Sequence, residues 1–136
     1  MHYATSQTIA ERIEDLYGQP LAALEAHADA NPHGTMLAAL TSAHADLQLA
    51  ERNIDFQLLR LRELTNPARE IGTSEAGHLL DCARRIAESV ATRDAYAKTV
   101  NAVLGSLHRV PAPASPPPAT PAVPASAPAP AATHTR

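Results

Sequence analysis

Apolar residues recur along this chain at alternating spacings of three and four, through two long stretches free of proline, His33 to Asn66 and Ala68 to Val110. In the first, Leu37, Leu40, His44, Leu47, Glu51, Ile54, Leu58 and Leu61 occupy the a and d positions of a seven-residue repeat, with His44 and Glu51 as polar intrusions. In the second, the seam is Leu79, Ala83, Ile86, Val90, Arg93, Ala97, Val100, Leu104 and Leu107, flanked by Cys82, Tyr96 and Val103. This period belongs to helices that bury one stripe. It predicts helices over 35–64 and 74–109, joined by a short loop containing Asn66-Pro67 and Gly72-Thr73-Ser74, and therefore antiparallel.

Upstream, the pattern predicts a further helix over 8–30 with a kink near 18–20. Thr8 and Glu11 have capping-box spacing, and Ile9, Ile13 and Leu16 share one face. Gly18 suits a C-terminal cap and Pro20 the first turn of a new segment, after which Leu21, Leu24 and Ala28 continue the stripe. Asn31-Pro32-His33-Gly34 then turns the chain. The expected fold is all-α: an antiparallel three-helix bundle, or a long helical hairpin with coiled-coil-like packing, over 1–110. The last helix, about 50 Å long, outreaches the first. Some of Val100, Val103, Leu104 and Leu107 are therefore expected either to project past the core as an association surface or to be capped by the kinked first helix. Leu49, Phe56 and Leu59 lie off the seam and give the second helix another apolar face, so it is read as sandwiched between neighbours.

Composition narrows this picture. Apolar residues make up 45% of the chain, but much of that is alanine, with aromatics at 3% and no tryptophan, so the core is thin and suited to closely packed helices. A single cysteine, Cys82, excludes an intramolecular disulfide and fits a reducing compartment. The start lacks the basic and apolar regions of a signal peptide, and no run of about 18 apolar residues is present, so the expectation is a cytoplasmic protein with no membrane role. From 111 to 136 the chain is Ala/Pro-rich and uncharged until Arg136, the composition of a disordered spacer. Charge is uneven: up to Glu51 the only cation is Arg12 against seven acids, whereas Arg52 to Val110 carries nine cations against seven acids.

Candidate chemistry is sparse. Glu75, His78 and Cys82 recur along one helix face at helical spacing, and Glu75-Ala-Gly-His78 has the Glu-x-x-His spacing of di-iron bundles. Those bundles need two copies and further carboxylates, and one copy is present. His78-Leu-Leu-Asp-Cys82 resembles half of the His-x-x-x-Cys-x-x-Cys site of zinc-binding anti-sigma factors, but Arg85 stands where the second cysteine belongs. No metal site and no cofactor are expected. His44 is read either as a partner for a carboxylate across the hairpin or as a satisfied structural histidine, and Arg93 as a partner for Glu51 or Asp46. Without a nucleophile on a sharp turn or a glycine-rich phosphate loop, the chain reads as a non-enzyme.

Two function classes remain. The first is a helical protein–protein interaction module, an adaptor, regulator or assembly factor that self-associates or binds a protein partner, through Leu49, Phe56, Leu59, Val100, Val103, Leu104 and Leu107. The alternative is DNA binding. Pro67 to His78 resembles the middle of a helix-turn-helix: a short helix with Ala68 and Ile71, a turn at Gly72, and Ser74 opening a second helix followed by Arg84 and Arg85. His78 and Asp81 depart from that motif at positions that call for core-facing apolar side chains.

Overall fold

A computed structural model describes residues 5–111, 113–127 and 129. Four helices follow one another: α1 (Ser6–Tyr17), α2 (Leu21–Ala30), α3 (Met36–Leu64) and α4 (Thr73–Ser106), and no strand occurs among the described residues. The protein is all-α and dominated by the α3–α4 hairpin. The described residues after Ser106 form neither helix nor strand.

The helix boundaries follow from local chemistry. Thr5, not Thr8, caps α1: its hydroxyl accepts the Thr8 backbone N–H at 3.3 Å, which places Thr8 in the third helical position. The helix therefore opens one turn earlier than the capping-box spacing predicts. It ends at Gly18, which takes the left-handed conformation (φ 67°) that a side chain resists and donates its N–H to the Glu14 carbonyl at 2.7 Å. Pro20 then starts α2, and the Glu14 carboxylate accepts the Leu21 N–H at 2.7 Å, tying the two short helices together. The expected kink is thus a complete break. Thr35 caps α3 through the Ala38 N–H, and Glu75 caps α4 by accepting the Gly72 N–H at 3.1 Å.

At about 1.5 Å per residue, α3 and α4 extend roughly 43 and 51 Å, whereas α1 and α2 span only about 18 and 15 Å. The short turn between α2 and α3 holds α1 and α2 beside the start of α3, where α4 also returns. The core forms there: Ile9, Ile13, Leu24, Ala28, Leu37, Leu40, Leu47, Ala97, Val100 and Leu104 make one buried cluster. Of the two expectations for the C-terminal part of α4, capping by the first helical segment is the one that forms, and the projecting association surface is not. Val100 (2% exposed) and Leu104 (6%) are core residues, and Val103 and Leu107 pack against that core half-buried. The uncovered part of the hairpin is its other end, toward the loop at 65–72.

Leu104→Ala is expected to cost about 2–5 kcal/mol by loss of buried surface and cavity formation. Leu80→Ala, at an exposed position of the same helix, is expected to change stability by less than about 0.5 kcal/mol. Urea unfolding followed by circular dichroism checks both values.

Candidate helix-docking face on the hairpin arm

α1 lies along the groove between α3 and α4, and its start is gripped by two seam residues of α3. His44 is fully buried, and its Nε2 donates to the Ser6 carbonyl at 3.1 Å, which assigns the proton to Nε2. One heptad on, the Glu51 carboxylate accepts the Ser6 backbone N–H at 2.9 Å and also bonds the Ser6 hydroxyl. A carboxylate at a helix N-terminus is favoured by the helix dipole and satisfies a donor that the helix itself leaves open. The other side of α1 is fixed by Arg12, which donates to the Asn101 side chain of α4. The two polar intrusions in the sequence repeat are therefore the anchor of α1. Of the two readings of His44, the structural one holds: it is bonded to a backbone carbonyl and not to a carboxylate, and its Nδ1 has no hydrogen-bond partner among the described residues.

Beyond Ser6 the groove continues without α1. His44 and Glu51 are followed, seven residues later, by Leu58, and Leu47 by Ile54 and Leu61. On α4, the face that carries Asn101 and Ala97 continues toward the loop through Val90, Ile86, Ala83, Leu79 and Ala76. Ile54, Leu61, Leu79, Ile86 and Val90 are half-buried by the hairpin alone, and Leu58 is exposed. Beside them Leu80 is 73% exposed, the most exposed large apolar side chain of the four helices. Ala76, Ala83, Ala87 and Ala91 are exposed around it, so this face of α4 carries no charge over four turns. Thr5, Ser6, Gln7, Glu51, Ile54, Asp55 and Arg93 line the depression at the upper end of this arm, where α1 begins.

The other predicted surface residues are placed differently. Leu49 and Phe56 are 50% and 59% exposed and line depressions on the side of the hairpin away from α1; Leu59, 55% exposed, joins Phe56 beside His78. They do not form one patch with Val100, Val103, Leu104 and Leu107, which belong to the core end. α3 is therefore sandwiched only at that end. The sequence reading missed Leu80, Ala76, Ala87 and Ala91, since alanine counts weakly in any hydrophobic pattern; their signal was the absence of charge at 76, 79, 80, 83, 87, 90 and 91.

The expected helix-turn-helix geometry is not formed. Residues 66–72 make a loop, with an Asn66–Arg69 turn supported by the Asn66 side chain accepting the Ala68 N–H at 3.0 Å, and Ile71 is exposed where the motif requires a core residue. Ser74 is exposed in the first turn of α4. Arg84 donates to Asp81 and Glu88, both at 2.9 Å, and Arg85 donates to Asp81 at 2.9 Å. The hydrogen bond from Arg84 holds the Asp81 carboxyl below its usual range against partial desolvation, with Arg85 adding to the effect. Both arginines are thus partly neutralised within their own helix.

No group of three metal-ligating side chains occurs among the described residues: Cys82 is buried, His78 is exposed, and Glu75 is engaged in capping. Asp46 faces Tyr96 across the hairpin, where its charge, then its hydrogen bond to the phenol, then burial raise the tyrosine pKa above its ordinary value. Arg93 pairs with Asp94 at 2.9 Å. No helix among the described residues is long and apolar enough to cross a membrane.

Removing the α1 anchor by Glu51→Ala is expected to cost about 1.5–3 kcal/mol, the scale of a charge-assisted hydrogen bond whose partner is left behind. Thermal unfolding of the full chain measures it, and Glu51→Gln is expected to recover part of the loss. Compared with known proteins, the chain matches no family model, no curated protein and no solved structure.

Proposed function

We propose that this protein is a non-enzymatic interaction module that offers the distal arm of the α3–α4 hairpin to another helix. The observation that carries this reading is the exposure of apolar side chains on the part of the hairpin that α1 (Ser6–Tyr17) does not reach. Past Ser6 the seam continues with Leu58 exposed and Leu79 half-buried, and Leu80 stands beside it 73% exposed. Single exposed apolar residues are ordinary, but a groove that already binds one helix and extends past it with the same residue types is prepared for a second. Recognition is then of the helix-in-groove kind, through an apolar face spaced by three and four residues. The nucleic-acid alternative draws no support from Arg84 and Arg85, whose ion pairs offset their charge.

Photo-crosslinking in the source organism tests this directly. A benzoylphenylalanine at position 58 or 80 is expected to yield discrete protein adducts, whereas the same probe at the exposed position Ala22 of α2 is expected to yield none. Adduct levels at 58 and 80 no higher than at 22 would overturn the reading.

A further inference from the structure

We infer that the tip of the hairpin, on the side away from α1, carries a binding site for a small organic monocarboxylate, an apolar or aromatic body bearing one carboxylate head. This goes beyond the helix-docking reading and does not depend on it, because the site uses neither Leu58 nor Leu80.

Three parts of the chain build the site. Phe56, Leu59, Arg60 and Glu63 recur at spacings of three, one and three along α3 and so share one face of it. Arg69 comes from the loop and His78 from the second turn of α4, and with Leu64 all of them line one depression of about 390 Å³ that opens to solvent. Leu64 is buried, whereas Phe56 and Leu59 are 59% and 55% exposed, and Phe56 is the only phenylalanine of the chain. The apolar part of the lining is thus wide enough for a ring or a short alkyl chain, and its size is that of a small-molecule cleft.

The charges select the head group. The Arg69 N–H donates to the Asn66 carbonyl at 3.0 Å, and the Asn66 side chain braces the same turn, which brings Arg69 to the depression that Arg60 lines. Neither arginine forms an ion pair among the described residues, whereas Arg84, Arg85 and Arg93 all do. Two like charges gathered beside an apolar wall repel each other, and a bound anion offsets that cost. Glu63 is the one acid of the lining and makes no ion pair there either, so two cations stand against one acid and a single negative charge completes the balance. The other acids of the tip do not supply it: Asp55 lines the depression where α1 begins, Glu75 is held by the Gly72 N–H, and Glu70, like Arg62, stands outside the lining. A guanidinium fork matches a carboxylate, and the His78 ring always retains an N–H to donate. Both arginines are exposed, so binding is expected to be modest.

The test is a titration of the full chain with 3-phenylpropionate, followed by amide NMR shifts, beside parallel titrations with acetate and 3-phenylpropan-1-ol. The phenylpropionate is expected to saturate with a dissociation constant of about 1 mM, to shift amides of residues 56–69 and 78, and to bind at least about tenfold more tightly than either acetate or the alcohol. Arg60→Gln and Arg69→Gln are each expected to weaken it at least about tenfold at unchanged helicity, and Arg62→Gln, on the same helix but outside the lining, to change it less than about twofold. Absence of saturation by about 20 mM, acetate or the alcohol binding as tightly as the phenylpropionate, or affinity unchanged in both Arg60→Gln and Arg69→Gln overturns the inference. Each of these outcomes leaves the photo-crosslinking result at positions 58 and 80 untouched.

Discussion

The carboxylate of Glu51 and the imidazole of His44 both close on Ser6, and that clamp sets where the three-helix part of the molecule stops. A buried histidine and a half-buried glutamate at seam positions are costly unless each finds a partner, and the first turn of α1 supplies a carbonyl, a backbone N–H and a hydroxyl. Apolar residues at 44 and 51 would leave the start of α1 with an unsatisfied donor and nothing to fix its position along the groove. The polar intrusions therefore define a register, the use to which polar seam residues are best suited.

From that register the division of the molecule follows. Above Ser6, the short helices α1 and α2 complete a core with Ile9 and Ile13 at its centre and the end of α4 as its floor. Below it, two helices pack on each other alone, burying Ala50, Gln57, Leu64 and Cys82 but leaving one face of each without cover. Two-helix arms gain little from packing and lose conformational entropy like any other segment. Anything that bound in its groove would stabilise such an arm.

Much of the architecture was legible in the sequence. The seven-residue repeat gave α3 to within one residue and α4 to within three, because a long periodic stripe has no other structural reading. Gly18 and Pro20 marked the break between α1 and α2, and Asn31-Pro32-His33-Gly34 marked the following turn. What misled was the comparison of helix lengths, which showed that part of the hairpin lacks cover but was assigned to the wrong end. The turn before Thr35 is short, so α1 and α2 had to lie beside the start of α3 and the end of α4, and Leu104 had to be core. The helix-turn-helix reading failed because Asn66 stabilises a turn through its own side chain, leaving Ile71 in solvent. The exposed apolar face of α4 was hard to see because half of it is alanine, which a hydrophobic repeat scarcely registers; its mark is missing charge, visible only once the helix phase is known.

The measurement that bears most directly on this division is amide hydrogen exchange of the full chain. Amides of α3 before Glu51 and of α4 after Arg93 should be the most protected, and those from Ile54 to Leu64 and from Ala76 to Val90 should exchange markedly faster. Uniform protection along both helices would contradict the division into a covered body and a two-helix arm.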